Sequence, residues 1–205
     1  MPGDVLLTGA TGFIGRHLHP ALREAGYAVR CLTRRPDEAR QLWPAKDWVA
    51  GDVGDPVSLG RALSGCQVAY YLVHGMSSGR ANWADDELRW AEDFAIAAGE
   101  AGVGRVVYLG GVAPRGAPSE HLRARLETGE ALRTGPVPCL ELRAGMIIGA
   151  GSASWTIVRD LAARLPAMVL PAWLMHRSEP VAVDDVVAAL VAGARLSLPR
   201  STWWD

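Results

Sequence analysis

The sequence contains almost no lysine and carries no excess of charge of either sign. Lys46 is the one lysine among 21 basic residues, and 22 acidic residues nearly balance them. A chain without a net basic or acidic field has no general attraction for nucleic acid or for an anionic membrane surface. We therefore expect neither of these partners, and we look instead for a small-molecule substrate.

Cysteine is scarce and long apolar runs are missing. Cys31, Cys66 and Cys139 lie far apart in the sequence, a spacing that fits neither a disulfide framework nor a zinc site. We expect reduced core cysteines and no bound metal. No apolar run approaches the roughly 20 residues that cross a bilayer, and the first residues lead into a strand without a charged leader. These features favour a cytoplasmic protein.

Apolar runs of strand length alternate with helical periodicity along most of the 205 residues, a pattern typical of βαβ units. It predicts a Rossmann-type, doubly wound parallel α/β sheet with helices on both faces, formed by one domain over residues 1–205. Beyond Gly151 the pattern loosens, and we assign residues 151–205 to the substrate side. The predicted strands are 5–8, 28–32, 48–50, 68–73, 105–109 and 140–143, and the predicted helices are 14–25, 37–42, 56–63, 83–101, 120–132 and 183–196.

Ligands of a doubly wound sheet bind beyond the carboxyl ends of the strands, where the strand order reverses. This rule directs the search for function to one edge of the predicted sheet. The residues at or just after the ends of the six strands are Gly9, Arg34, Asp52, His74, Gly110 and Ala144.

A glycine-rich turn joins the first predicted strand to the first helix. In Gly9-x-x-Gly12-x-x-Gly15, the first glycine permits a tight turn, the second lets a pyrophosphate approach the backbone, and the third lets the helix pack on the strand. The helix N-terminus then presents N–H groups and a positive dipole end to the anion. A glycine triplet alone is a weak signal, but its position between a strand and a helix predicts dinucleotide binding.

The end of the second predicted strand carries arginines where a NAD-preferring site has an acidic residue. Arg34 and Arg35 stand there. Two guanidiniums can grip a 2′-phosphate in a fork, so NADP(H) is favoured over NAD(H); the alternative is a solvated loop with two arginines. Asp52, at the end of the third strand, would accept a hydrogen bond from the adenine amino group, or serve as a simple turn residue.

These motifs together resemble the short-chain dehydrogenase/reductase superfamily, in its atypical, NmrA-like branch of NAD(P)-binding proteins. The similarity covers nearly the whole chain, and the glycine motif is specific to the superfamily. The motifs that carry it are Thr8-Gly9-Ala10-Thr11-Gly12-Phe13-Ile14-Gly15, Leu32-Thr33-Arg34-Arg35-Pro36, Gly51-Asp52-Val53, Tyr70-Tyr71-Leu72-Val73-His74 followed by Gly75-Met76, and Leu142-Arg143-Ala144-Gly145-Met146-Ile147-Ile148-Gly149.

The resemblance implies which part of the cofactor each motif would contact. For His74, a turn role without any ligand is an equal alternative. The implied contacts are Gly9, Thr11, Gly12, Phe13, Ile14 and Gly15 with the pyrophosphate, Arg34 and Arg35 with the 2′-phosphate, Asp52 and Val53 with the adenine, Leu72, Val73 and His74 with the adenine ribose side, and Ala144, Gly145, Met146 and Ile147 with the nicotinamide end.

The Tyr-x-x-x-Lys pair on which redox chemistry in this superfamily usually depends is missing. No tyrosine lies on the helix after the fifth strand, and Lys46 precedes the third strand. At the equivalent place stand His121 and Arg125. Arg125 would keep the cation that holds the ribose hydroxyls, although a guanidinium cannot act as an acid. His121 would donate a proton to a carbonyl, or is a surface or helix-cap residue.

Three functions fit these residues. The first is an NADP(H)-dependent oxidoreductase of a small apolar carbonyl or enone, with His121 or water supplying the proton. The second is a non-catalytic NADP(H)-binding module that senses redox state or regulates a partner, and the third is an isomerase with a tightly held cofactor. The residues that would wall an apolar substrate site, or form a core patch under a loop, are Trp155, Leu165, Met168, Leu170, Trp173 and Met175.

The sequence ends on Trp203-Trp204-Asp205. Two large aromatic side chains stand there with little chain left to bury them. This ending indicates either a truncated longer protein or a surface for a partner.

Overall fold

The computed structural model describes residues 3–74, 82–114, 116–164 and 179–205. None of the helices in these ranges is long and apolar enough to cross a membrane. The strands are β1 (Asp4–Leu7), β2 (Ala28–Thr33), β3 (Asp47–Ala50), β4 (Cys66–Tyr71), β5 (Arg105–Gly111), β6 (Cys139–Ala144), β7 (Ile147–Ile148), β8 (Val181–Ala182) and β9 (Thr202–Trp204). The helices are α1 (Phe13–Glu24), α2 (Pro36–Leu42), α3 (Pro56–Leu63), α4 (Trp83–Glu100), α5 (Glu120–Thr134), α6 (Ala153–Arg164) and α7 (Val183–Gly193).

Seven strands form one parallel sheet in the order β3-β2-β1-β4-β5-β6-β9. The chain winds outward from β1 to β3, returns to place β4 beside β1, and then winds the other way. The contact between β1 and β4 is therefore the switch point beside which such sheets bind ligands. The predicted Rossmann-type doubly wound fold is confirmed, with β9 as an additional edge strand beside β6.

Apolar side chains cover both faces of the sheet, as continuous apolar strands require. One face packs against α1 and α7, with Leu18 and Leu190 fully buried there. The opposite face packs against α3, α4 and α5 through Leu59, Phe94 and Leu132. The two layers hold the carboxyl ends of the strands in fixed positions at one edge.

The cysteines are core residues, as the sequence predicts. Cys31, Cys66 and Cys139 are buried in three strands of the sheet with free thiols. Burial raises the pKa of the Cys31 and Cys139 thiols to about 12. These thiols stay protonated at neutral pH and are poor nucleophiles.

Side-chain caps begin two helices near the site. Asp55 accepts a hydrogen bond from the Val57 N–H at 3.2 Å, and Pro56 takes the first helical position of α3. Ser119 accepts from the Leu122 N–H at 3.3 Å and begins α5. Both starts fall where the sequence places them.

The sequence pattern does not predict β7, α6, β8 or β9. The two strands of two residues are too short for periodicity, and α6 buries no residue against the core. Helix α7 begins at Val183, as the sequence predicts, with Ala182 as its N-cap and Asp184 and Asp185 in its first turn. Trp203 and Trp204 lie on β9, each 48% exposed, and Trp203 packs against the Arg143 guanidinium at 4.3 Å.

Candidate cofactor-binding site

The glycine turn lies against the end of β4 through backbone contacts that leave no room for side chains. Gly9 has a positive φ of 64°, and a Cβ there would lie 2.4 Å from the Leu72 carbonyl oxygen. A Cβ on Gly15 would lie 2.3 Å from the Gly9 carbonyl oxygen. The Thr8 hydroxyl closes the contact, since it donates to the Tyr70 carbonyl oxygen and accepts from the Leu72 N–H, both at 2.9 Å. The turn is therefore a bare backbone surface at the switch point.

The N-terminus of α1 opens onto this turn. Gly12 is the N-cap residue and offers no side chain to the helix, and no acidic residue lies in the first turn. The Arg16 N–H donates to the Gly12 carbonyl oxygen at 3.0 Å. The amides of Phe13, Ile14 and Gly15 precede that bond and have no partner within the helix. Amides in this position and the positive dipole end suit a diphosphate.

A cavity of about 880 Å³ lies beyond the carboxyl ends of β1, β2, β3 and β4. Its size is within the range of about 300–1,000 Å³ typical of small-molecule sites. The predicted cofactor residues that it brings together are Gly9, Thr11, Arg34, Arg35, Asp52, Val53, Val73 and His74.

The two arginines line the cavity at the end of β2 with different surroundings. The Arg35 guanidinium lies 3.3 Å from the Glu38 carboxylate, and the side chains are 75% and 66% exposed, so this ion pair is weak. Arg34 has no ion-pair partner in the part of the chain that the structure describes. Glu38 is an acidic cavity residue that sequence reasoning missed, because it lies in the first turn of α2 and not at the end of β2.

Asp52 shapes the turn that follows β3. Its carboxylate accepts from the Gly54 N–H at 3.0 Å, and its own N–H donates to the Ser58 hydroxyl at 3.1 Å. Asp52 lines the cavity together with the buried Val53. The turn role is thus observed, and the contacts of Asp52 and Val53 with adenine stay predictions.

Two tryptophans that the sequence analysis does not predict at the site, Trp43 and Trp90, line the same cavity. Trp90 of α4 lies so close to Gly54 that a Cβ on this glycine would be 2.7 Å from the indole nitrogen. Trp43 directly follows α2. Flat aromatic faces of this kind suit a purine ring. Neither residue lies at the end of a strand, so the sequence gives no signal that they line the cavity.

His74 follows β4 and lines the cavity beside Val73. Its Nδ1 lies 3.5 Å from a carboxylate oxygen of Glu87, a residue of α4 that is almost fully buried. This contact brings the end of β4 close to α4, and a turn role for His74 stays a prediction. Leu72 contributes its backbone to the glycine turn. Contacts of these residues with a ribose stay predictions.

All four tyrosines of the chain are buried. The Tyr70 hydroxyl donates to the Leu190 carbonyl oxygen at 2.8 Å, and the Tyr108 hydroxyl donates to the Arg125 carbonyl oxygen at 3.0 Å. Burial raises the pKa of Tyr70, Tyr71 and Tyr108 above the ordinary value for a phenol. None of the four lines the described cavity, so no phenol takes the place of the missing tyrosine there.

His121 and Arg125 lie on α5, outside the lining of this cavity. His121 is exposed, and its ring centroid lies 4.8 Å from that of Trp83. The Arg125 guanidinium donates to the Leu109 carbonyl oxygen at 3.1 Å, which fixes α5 to β5. A surface role for His121 and a structural role for Arg125 are thus visible, while proton donation and ribose binding stay predictions.

The residues assigned to the nicotinamide end lie at the end of β6 and just after it, and they do not line the described cavity. Ala144 ends β6, a Cβ on Gly145 would lie 2.5 Å from the Glu179 carbonyl oxygen, and the Met146 carbonyl oxygen accepts from the Val181 N–H at 3.0 Å. Ile147 begins β7, and Trp155 lies on α6. The other residues predicted near the substrate, Leu165, Met168, Leu170, Trp173 and Met175, and the motif pair Gly75 and Met76, lie outside the described residues.

The parallel sheet with its glycine turn at the switch point is a Rossmann fold of the kind that binds dinucleotides. The sequence model of the NAD(P)H-binding family matches residues 9–163, which is more than half of the chain. The chain belongs to this NAD(P)H-binding family. The resemblance to NAD(P)-binding proteins seen in the sequence is confirmed, and the NmrA-like branch stays a prediction.

The relatives of the chain include reductases and epimerases. Ceramide reductase of Caulobacter vibrioides is 34% identical over 202 residues, which are 94% of this chain and 61% of that protein. UDP-glucose 4-epimerase of Thermotoga maritima, solved with UDP-glucose, has a TM-score of 0.76 at 18% identity and covers 98% of this chain and 76% of its own. Triphenylmethane reductase of Citrobacter, solved with NADP(H), has a TM-score of 0.63 at 22% identity, with 78% and 55% covered. The chain thus spans about three fifths of its reductase relative, and the solved structures show the shared fold.

Proposed function

We propose that this protein binds NADP(H) in preference to NAD(H) and is an oxidoreductase of an apolar carbonyl or enone. The observation that carries the proposal is the 880 Å³ cavity that joins the glycine turn to two arginines at the end of β2. The bare turn fits a diphosphate, and the arginines fit a phosphate on the adenine ribose. A bound nicotinamide would supply the hydride in this reaction.

The preference for NADP(H) depends on the charge balance at the end of β2. Arg34 offers its guanidinium without an ion pair among the described residues, while Arg35 is engaged in part by Glu38. A hydrogen bond to a charged group contributes about 1.5–3 kcal/mol, equivalent to roughly 10–150-fold in affinity. NADH lacks the phosphate that would receive these bonds.

The choice of substrate is supported by the apolar surface of α6 and by the names of two relatives. Ile157, Val158 and Leu161 are 44–59% exposed on α6, beyond the assigned nicotinamide end. Ceramide reductase and triphenylmethane reductase are both named for compounds with large apolar parts. We extend this to an apolar ketone or enone as the substrate class of the present protein.

The cofactor proposal is tested by titrating the protein with NADPH and with NADH. Quenching of tryptophan fluorescence is a direct signal, since Trp43 and Trp90 line the cavity. We expect NADPH to bind at least tenfold more tightly, and Arg34→Ala to weaken NADPH by about tenfold while leaving NADH within twofold. Arg61→Ala removes an exposed arginine of α3 and is the matched control. Equal affinities for both coenzymes in the wild type would contradict the proposal.

The redox proposal has a separate test. Oxidation of NADPH is followed by its absorbance with a panel of apolar ketones and enones, for the wild type and for His121→Gln. Turnover that falls at least tenfold in the variant, with unchanged NADPH affinity, supports His121 as the proton donor. Turnover that persists in the variant assigns the proton to water, and absence of turnover across the panel contradicts the reductase proposal.

A second candidate is a non-catalytic NADP(H)-binding module. It is favoured by the burial of every tyrosine and by the bond between Arg125 and the β5 backbone, which leave the described cavity without the usual acid. Tight NADPH binding without turnover on any panel member is the result that this candidate predicts.

A further inference from the structure

The single lysine of the chain contacts the backbone of the glycine turn. Lys46 precedes β3, and its ammonium donates a hydrogen bond to the Ala10 carbonyl oxygen at 2.9 Å. The same ammonium lies 5.7 Å from the ring centroid of Trp43 and 5.5 Å from that of Trp48, within cation–π range. Three contacts therefore fix one half-buried cation against the backbone between Gly9 and Gly12.

Because a peptide bond is planar, the contact between Lys46 and the Ala10 carbonyl also affects the direction of the next N–H. In a planar trans peptide, the carbonyl oxygen of one residue and the N–H of the next point in opposite directions. The Ala10 carbonyl faces Lys46, and Lys46 does not line the cavity, whereas Thr11 does. Holding the Ala10 carbonyl therefore also fixes the direction of the Thr11 N–H, which points away from Lys46.

We propose that Lys46 is a positioning residue that orients the Ala10–Thr11 peptide for the diphosphate of the cofactor. The inference rests on the proposed dinucleotide site and adds a residue outside its glycine motif. Lys46 touches the backbone and no part of the ligand, so its effect is common to every ligand that carries the diphosphate. Arg34, in contrast, acts on the 2′-phosphate alone.

The Lys46 ammonium is partly buried and has the Ala10 carbonyl oxygen as its hydrogen-bond acceptor. Burial lowers the pKa of Lys46 below its ordinary value, and the positive charge of Arg16 acts in the same direction. Such a cation has lost part of its hydration, and the Ala10 carbonyl and the two indole faces replace it. The aliphatic stem is long enough to reach the turn from the loop before β3, so methionine is a suitable uncharged replacement.

The test compares Lys46→Met with Arg34→Ala. We expect Lys46→Met to weaken NADPH and NADH by the same factor, about fivefold to tenfold, because the Ala10–Thr11 peptide is no longer held in one orientation before the diphosphate binds. Lys46→Arg is expected to restore affinity to within threefold of the wild type. Arg61→Met removes a distant exposed charge and is the control for net charge.

Fragments of the cofactor separate positioning from direct contact. ADP-ribose carries the diphosphate without nicotinamide or 2′-phosphate, and adenosine 2′-monophosphate carries the 2′-phosphate without the diphosphate. In competition assays, Lys46→Met is expected to weaken ADP-ribose as much as NADH and to leave adenosine 2′-monophosphate within twofold. A selective loss of adenosine 2′-monophosphate, or unchanged ADP-ribose affinity, overturns the proposal.

One further measurement keeps the proposal testable if the variant does not fold. Reductive methylation with ¹³C-formaldehyde labels the one lysine ε-amine of the wild type. A shift of its NMR signal with ADP-ribose supports the proposal, and an unchanged signal overturns it. If NADPH and NADH bind equally well and Arg34→Ala changes neither, the NADP(H) preference fails, while the ADP-ribose result still decides the role of Lys46.

Discussion

Glu38 and Arg35 form an exposed ion pair at the place where the 2′-phosphate is proposed to bind. The carboxylate both engages the guanidinium and repels a doubly negative phosphate. The preference for NADP(H) therefore depends on the attraction of the arginines for the phosphate minus its repulsion by Glu38, and not on the number of arginines alone. The sequence alone shows the arginines but cannot show that α2 turns Glu38 back toward them.

Glu38→Gln is expected to raise the affinity for NADPH by about threefold to fivefold, since an exposed ion pair is worth up to about 1 kcal/mol. Affinity for NADH should stay unchanged. Asp37→Asn is the matched control, because Asp37 pairs with Arg40 at 3.0 Å and does not line the cavity. The same fluorescence titration measures all three proteins, and an equal gain for both coenzymes would contradict this assignment.

Gly15 has no side chain, and this absence lets α1 lie close to the backbone of the glycine turn. A Cβ on Gly15 would lie 2.3 Å from the Gly9 carbonyl oxygen and 2.7 Å from the Ala10 Cα, and these backbone atoms have little freedom to move. Gly15→Ala is expected to lower the free energy of unfolding by about 1–3 kcal/mol and to abolish measurable NADPH binding.

Gly60→Ala is the control for this prediction. No atom lies within 4 Å of a Cβ built on Gly60 in α3, so alanine there is expected to raise the free energy of unfolding by about 0.5–1 kcal/mol. Urea denaturation measures both variants. If Gly15→Ala unfolds with the same free energy as the wild type and binds NADPH with the same affinity, close approach of α1 to β1 is not required for the site.

At the scale of the elements, β9 adds to the sheet an edge that the sequence pattern does not predict. Trp203 and Trp204 are equally exposed at 48%, but the Arg143 guanidinium packs on Trp203. We expect Trp203→Ala to cost about 0.5–1 kcal/mol more in unfolding free energy than Trp204→Ala. Thermal or urea unfolding of the two variants tests this, and equal losses would mean that the cation–π contact adds nothing.

The elements up to β6 could be predicted because each gives a local signal. The glycine turn, the Asp55 cap and the apolar run of β4 depend on residues close in sequence. The short strands β7 and β8 depend on pairing with each other, and β9 depends on β6, about 60 residues earlier. Such long-range contacts leave no periodic pattern for sequence reasoning to detect.

Some residues of the site can be predicted from the sequence, and others are brought there only by the tertiary fold. Gly9, Arg34 and Asp52 follow strands and were found by the rule for strand ends. Trp90 and Lys46 reach the site from elements that only the folded chain brings close. Lys46 is recognisable in the sequence as its one lysine. Its contact with the Ala10 carbonyl depends on the tertiary fold.

For the whole molecule, the pH dependence of stability follows from a buried histidine. Burial lowers the pKa of His19 to about 4, and the charges of Lys46 and Arg23 act in the same direction. Between pH 4 and about 6.5 the unfolded chain binds a proton that the folded chain does not. The free energy of unfolding therefore rises with pH across this window, by about 2–3 kcal/mol, and the gain is lost as the pH falls back toward 4.

Urea denaturation from pH 4 to pH 7.5 tests this for the wild type and for His19→Gln, which has no charge to gain. We expect the variant to show a flatter dependence over that window. His121→Gln replaces an exposed histidine and controls for the loss of an imidazole. Parallel curves for wild type and His19→Gln would show that the buried imidazole does not contribute.

We propose that one crevice at the switch point holds both the diphosphate and the 2′-phosphate of NADP(H). A crystal structure with NADP⁺ tests it most directly. We predict diphosphate oxygens within hydrogen-bond distance of the amides of residues 11–15 and the 2′-phosphate within reach of Arg34 and Arg35. A 2′-phosphate that points into solvent away from both arginines, or a coenzyme bound elsewhere on the chain, would contradict the account.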